Sequence, residues 1–192
     1  MAYNKRRMIA LLAAIVMLAG VVSYAGFVVV YQITGNVSET QPLVYFTAGT
    51  NNNTIGLDGN KMQAIIGSNG TSATVNFSVT YGDTYIVDLL NITNNASTTY
   101  YAKLCVATPV TSSTGVVSSA EALVVDSTGS VLGTLDLLTS GNCTGTFAIP
   151  AGSNVTVDFH FTLSEGTQLD TSPLNFTITL QYSNENPVPA TP

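Results

Sequence analysis

His160 is the single histidine of the chain and lies in the run VDFHFT, two residues from Asp158 on the polar side of an alternating segment. A histidine paired with a carboxylate becomes the base of a hydrolytic site when a nucleophile stands beside it. No Gly-x-Ser-x-Gly elbow or comparable nucleophile setting occurs anywhere in the chain, so His160 reads as a histidine on a strand surface. The carboxylates are scattered. Asp58-Gly59-Asn60 lacks the further ligands of a calcium loop and reads as a tight turn, and phosphate-cradling glycine loops are absent. The expectation is no catalytic residue, no cofactor, no metal site and no enzyme.

Cys105 in YYAKLCVAT and Cys143 in SGNCTGT are the only cysteines. Outside the cell an even pair most simply forms one disulfide, with two unrelated buried thiols as the alternative. Neither has a histidine or second cysteine near it, which argues against zinc.

The third chemical signal is Asn-x-Ser/Thr, the acceptor pattern for N-linked glycans, at Asn36, Asn52, Asn69, Asn76, Asn91, Asn95, Asn142, Asn154 and Asn175. With 16 Asn and 44 Ser plus Thr, roughly four such triplets would arise at random, so the excess is about twofold. Asn76, Asn154 and Asn175 fall on the polar phase of alternating strands, where a sugar projects away from the core. Only 8% of the residues are charged, and a glycan coat or a plain Asn/Thr-rich surface would each supply the missing hydration.

These residues need a scaffold, and its pattern is all-β. From residue 42 onward short alternating runs are separated by turn residues. The expected strands are Ala73–Tyr81, Thr84–Ile92, Thr99–Thr108, Glu121–Asp126 with Ser130–Asp136 across the turn DSTGS, Val155–Leu163 and Leu174–Tyr182. Val75, Phe77, Val79 and Tyr81 should face one way, as should Val155 to Leu163 and Leu174 to Tyr182 at every second position. The architecture expected is an antiparallel two-sheet β-sandwich of jelly-roll or immunoglobulin-like type spanning 42–183, with a loose tail at 184–192 that has no apolar anchor.

The amino terminus reads differently. Lys5, Arg6 and Arg7 precede 26 uncharged residues, Met8 to Ile33, and only Lys61 and Lys103 follow to oppose eleven carboxylates. Nucleic-acid binding needs clustered cations and is excluded. Met8 to Val22 is rich in helix formers, and Ser23-Tyr24-Ala25 supplies small residues for cleavage before Gly26, so 1–25 reads as a signal peptide that meets the membrane only in transit. An uncleaved anchor and a type IV pilin leader cut after Arg7 are the alternatives. Gly20, Gly26 and the run Val28-Val29-Val30 disfavour one continuous helix. Within 26–41, Phe27, Val29, Tyr31 and Ile33 would face one layer and Val28 and Val30 the other, so the strand is apolar on both faces and must be covered. It can pair within its own domain or add to a neighbour's sheet, and head-to-tail addition that does not close makes a filament.

With an export signal, an immediate apolar strand and a sandwich carrying phrases such as GDTYIVDLLNITNNASTTYY and AGSNVTVDFHFTL, the chain resembles archaeal extracellular filament subunits. It looks most like the glycosylated thread subunits of thermoacidophilic archaea, and more distantly like archaeal bundling pili and the TasA fibre of bacterial biofilms. The resemblance implies a secreted, cell-surface homopolymer bearing N-linked glycans, assembled by donor-strand complementation and serving adhesion or biofilm. It places the donor at Phe27 to Thr34. A retained-helix pilin, a membrane-anchored surface or S-layer-associated protein and a secreted hydrolase are the rival readings.

Overall fold

A computed structural model describes residues 42–56, 61–79, 81–111, 117–164 and 174–188. The segment read as a leader, the expected strand Phe27 to Thr34, Asn36 and Asp58-Gly59-Asn60 lie outside the described residues. Thr40–Pro192 form one compact unit, separate from residues 1–39.

The described fold is all-β, with ten strands in two antiparallel sheets and no helix. The strands are β1 (Val44–Ala48), β2 (Gln63–Ile66), β3 (Ser72–Phe77), β4 (Gly82–Asn94), β5 (Tyr100–Thr108), β6 (Val117–Val125), β7 (Val131–Asp136), β8 (Phe147–Ile149), β9 (Asn154–Leu163) and β10 (Leu174–Ser183). One sheet has the order β1-β4-β9-β6-β7 and the other β2-β3-β10-β5-β8. Period-two patterning builds both. In β9 every second residue from Val155 to Leu163 is buried, and β10 buries Leu174, Phe176, Ile178 and Leu180. Their inner faces meet in a dry aromatic cluster. Phe77 of β3 lies edge-on to Phe161 of β9 at 4.8 Å, and Phe159 lies against Phe176 of β10 at 5.4 Å.

Two expectations are corrected, and one pairing that the sequence left open does not form. β3 stops at Phe77, and Tyr81 is exposed, so it does not continue the buried row Val75 and Phe77. The tail has an apolar anchor after all, because Val188 is buried. Asp158 does not serve His160; its carboxylate turns toward β4 and accepts the Asp88 amide at 2.8 Å.

That last contact belongs to a bulge. Ile86 pairs with Phe159 and Leu90 with Val157, so Val87, Asp88 and Leu89 stand opposite Asp158 alone. Asp88 adopts φ 48°, a left-handed conformation that aspartate tolerates better than most residues. The segment after β1 grips this bulge: Gly49 and Asn51 donate their amides to the Leu89 and Asp88 carbonyls, Asn51 Nδ2 donates to the Val87 carbonyl at 2.8 Å, and the Thr50 hydroxyl donates to the Asp88 carboxylate. Only glycine fits at position 49, since a Cβ there would overlap the Asp88 carbonyl.

The β6–β7 hairpin turns on Asp126, whose Oδ1 accepts the Thr128 amide and hydroxyl and the Ser130 amide at 2.7 to 2.9 Å. The Thr128 hydroxyl and the two amides hold this carboxyl below the ordinary 3.8. A carboxylate whose pKa is depressed by folding contributes in full above its unfolded value and loses that contribution as pH falls through the native one. Asp126→Ala is therefore expected to lower the melting temperature by a few degrees at neutral pH, with the difference shrinking as pH falls below the ordinary carboxylate range. An unchanged gap in acid would show that the neutral acid holds the turn equally well.

Candidate functional site

The described residues bring three chemical groups into view and leave one side of a sheet open. Cys105 and Cys143 are bonded, with S–S 2.06 Å. Cys105 is a buried residue of β5, and the segment Gly141–Thr144 lies beside that strand: Val106 donates to the Asn142 carbonyl, Gly141 to Val106 and Thr144 to Leu104. The disulfide thus staples the β7–β8 connection along the outer edge of β5, continuing the cover that β8 gives to Tyr100–Ala102.

His160 lies on the outer face of β9, its ring stacked on Tyr85 of β4 at 4.1 Å and 6°. Nε2 is 3.3 Å from Asp83, and Nδ1 is 3.9 Å from Glu121 of β6. The Thr162 hydroxyl at 2.7 Å, and then His160, hold the Asp83 carboxyl below the ordinary 3.8. The cluster is a cross-strand polar contact beside an aromatic ring, and its partner Asp83 is 77 residues away in sequence. Among the described residues no group of three or more His, Cys, Asp or Glu side chains could hold a metal ion.

The sequons separate by geometry. Asn154 and Asn175 are exposed on strands, Asn95 follows β4, and Asn69 is exposed in the β2–β3 turn. Asn76 and Asn91 are half-buried between flanking strands, Asn76 directly opposite Asn175. Asn142 donates Nδ2 to the Asp136 carbonyl at 3.3 Å. Asn52 is tied at both ends: Nδ2 donates to the Ala64 carbonyl at 3.1 Å, and Oδ1 accepts the Ala64 amide at 2.9 Å.

The open side belongs to β4. Among the described residues β1 runs along it from Leu90 to Asn94 and the segment Gly49–Asn51 along Val87–Leu89, so the stretch from Gly82 to Ile86 lies beyond both while β9 holds the opposite edge. A cleft of about 290 Å³ opens here between the sheets, lined by Ile55, Gly56, Met62, Ser78, Thr84, Tyr85 and Ile86. Around it the large apolar side chains stand in solvent: Ile55 is 71% exposed, Tyr85 65% and Val87 55%. Apolar groups at an exposed strand edge cost solubility unless they are covered. The signal was present in the sequence, because TYIV puts Tyr85 and Val87 on one face and Ile86 on the other, the same two-sided pattern that marks Phe27 to Ile33. What the sequence lacked was the length of β1, which decides how much of β4 stays open.

The chain matches no protein-family model and none of the curated proteins.

Proposed function

We propose that the protein is a non-enzymatic structural subunit of an extracellular, N-glycosylated homopolymeric filament, a jelly-roll or immunoglobulin-like head whose open β4 edge receives Phe27 to Thr34 of the next subunit. The observation that carries this reading is the pairing of two complementary features in one chain: an apolar cleft beside the Gly82–Ile86 stretch of β4, which no described strand or loop pairs on that side, and an N-terminal segment whose sequence is apolar on both faces.

Length favours insertion into a second copy. Leu43 accepts the Asn95 amide, so the head receives its tether at the end of β4 far from Gly82. Gly82 pairs with Leu163 and Thr93 with Asn154, nine residues apart on β9, and with two more residues to Asn95 the span is ~36 Å at ~3.3 Å per residue. An inserted strand antiparallel to β4 ends with Thr34 beside Gly82, yet the nine residues from Thr34 to Leu43 reach at most ~32 Å. In that orientation and register a neighbour's head is the easier one to reach, because it imposes no such limit. Secretion fits the Cys105–Cys143 bond, and adhesion or biofilm is the service such filaments give.

The reading is tested at the groove. Val87→Lys and Ile55→Asp place charge on exposed positions, so the head should keep its melting temperature while filament formation, read by electron microscopy and sedimentation, drops severely. Wild-type filaments from both variants would refute the groove. Sequencing the mature N-terminus separates the rivals: Gly26 fits strand insertion, and a start at Met8 supports the pilin.

A further inference from the structure

We propose that Asn69, Asn95, Asn154 and Asn175 are the sequons of the head that carry N-linked glycans, and that Asn52 carries none because its carboxamide is a structural brace. The inference rests on export, as the filament reading does, and is independent of polymerisation. In the transfer step the acceptor Nδ2 forms a bond to the anomeric carbon of a lipid-phosphate-linked oligosaccharide; the bond from that carbon to the phosphate oxygen breaks, the lipid phosphate leaves with the electron pair, and Nδ2 gives up one hydrogen as a proton. The product is a secondary amide. Its trans form, favoured by about 2.5 kcal/mol, sets the sugar on the Oδ1 side of the nitrogen.

At Asn52 that position is taken. Nδ2 and Oδ1 pair with the carbonyl and amide of the same residue, Ala64, so the hydrogen engaged is the one on the Oδ1 side. The bridge fastens the β1–β2 connection to the edge strand β2, and a sugar would replace the hydrogen that makes it. At the four assigned sequons the residue is exposed and Nδ2 makes no hydrogen bond among the described residues. Asn69 also has its Oδ1 on the Thr71 amide at 3.1 Å, a contact within its own turn that does not use the amide nitrogen. Asn154 opens β9, Asn95 follows the last residue of β4, and Asn175 is exposed in β10 one residue from its start, each with its side chain outside the core.

Glycopeptide mass spectrometry of the full chain isolated from its source cells tests the assignment. Sugar mass is expected on peptides containing Asn69, Asn95, Asn154 and Asn175, and bare mass on the peptide containing Asn52. Asn154→Gln should remove one glycan from the intact mass without changing the melting temperature, whereas Asn52→Gln should leave the glycan mass unchanged and lower the melting temperature. Sugar on Asn52, loss of a glycan in Asn52→Gln, or bare peptides at any of the four assigned positions overturns the proposal. A chain bare throughout refutes this assignment and leaves filament formation standing; normal glycans on a chain that never polymerises does the reverse.

Discussion

A subunit lacking residues 26–36 is expected to stay a soluble monomer under conditions in which the full mature chain forms filaments, and to recover stability when the peptide GFVVVYQITGN is added. The removed strand carries four large apolar groups on one face, Phe27, Val29, Tyr31 and Ile33. Burying these contributes roughly 6 to 12 kcal/mol as an upper bound, at 1.5 to 3 each, before ordering costs are subtracted. Backbone pairing along β4 adds to this, since amides at a desolvated strand edge need partners. The effect should be all or none in electron micrographs and large in thermal melts. Substitution grades it: a charge at Val29 or Tyr31 should weaken assembly far more than one at Thr34, the last residue of the strand. Filaments of normal appearance from the truncated chain would falsify strand insertion, and a stable monomer from the full mature chain would mean the strand serves its own head.

The second large effect is expected from the disulfide. Cys105 and Cys143 are 38 residues apart in sequence, and closing a loop of that size lowers the entropy of the unfolded chain by about 3–4 kcal/mol in the chain-entropy account. The Cys105→Ser, Cys143→Ser double variant should therefore melt on the order of 10 °C below the wild type, at 2–4 °C per kcal/mol for a domain of this size. Local consequences should be visible too. Without the cross-link, the Gly141–Thr144 segment is held to β5 by hydrogen bonds alone, and hydrogen exchange at Val106 and Thr144 should accelerate more than at Phe159. A melting temperature unchanged by the double substitution would show that those bonds suffice.

The long strands were readable because their own side chains dictate them. Val155–Leu163 and Leu174–Tyr182 alternate without interruption, and the structure places β9 and β10 within one residue of those bounds. β1, β2 and β8 were not among the expected strands. They hold five, four and three residues, too few for a period to declare itself, and each is extended because a neighbour offers a ladder. The same limit hid the partner of His160. A sequence window shows Asp158 two residues away, whereas the register that sets Asp83 and Glu121 beside the ring arises from two separate strand pairings. The bulge at Val87–Leu89 was equally invisible, because nothing in that run marks which residues will stand unpaired; Asp88 takes a positive φ with no glycine to announce it. The disulfide pairing, by contrast, needed no geometry, since two cysteines allow a single bond.

The placement of β1 has a mechanical consequence. Its first residue, Val44, pairs with Asn94, while the open stretch of β4 begins twelve residues earlier at Gly82. In the proposed string of subunits the tether would pull β1 toward the Asn94 end, and a strand seated beside Asp83 and Tyr85 would pull β4 toward the Gly82 end. The two forces would be opposed and run along the strand axes, so the five pairs from Val44 to Ala48 would bear load together instead of opening one after another from an end. β9 would share that load as the central strand of its sheet, paired with β4 on one side and β6 on the other. Tension along such a string would thus meet the head in its stiffest direction.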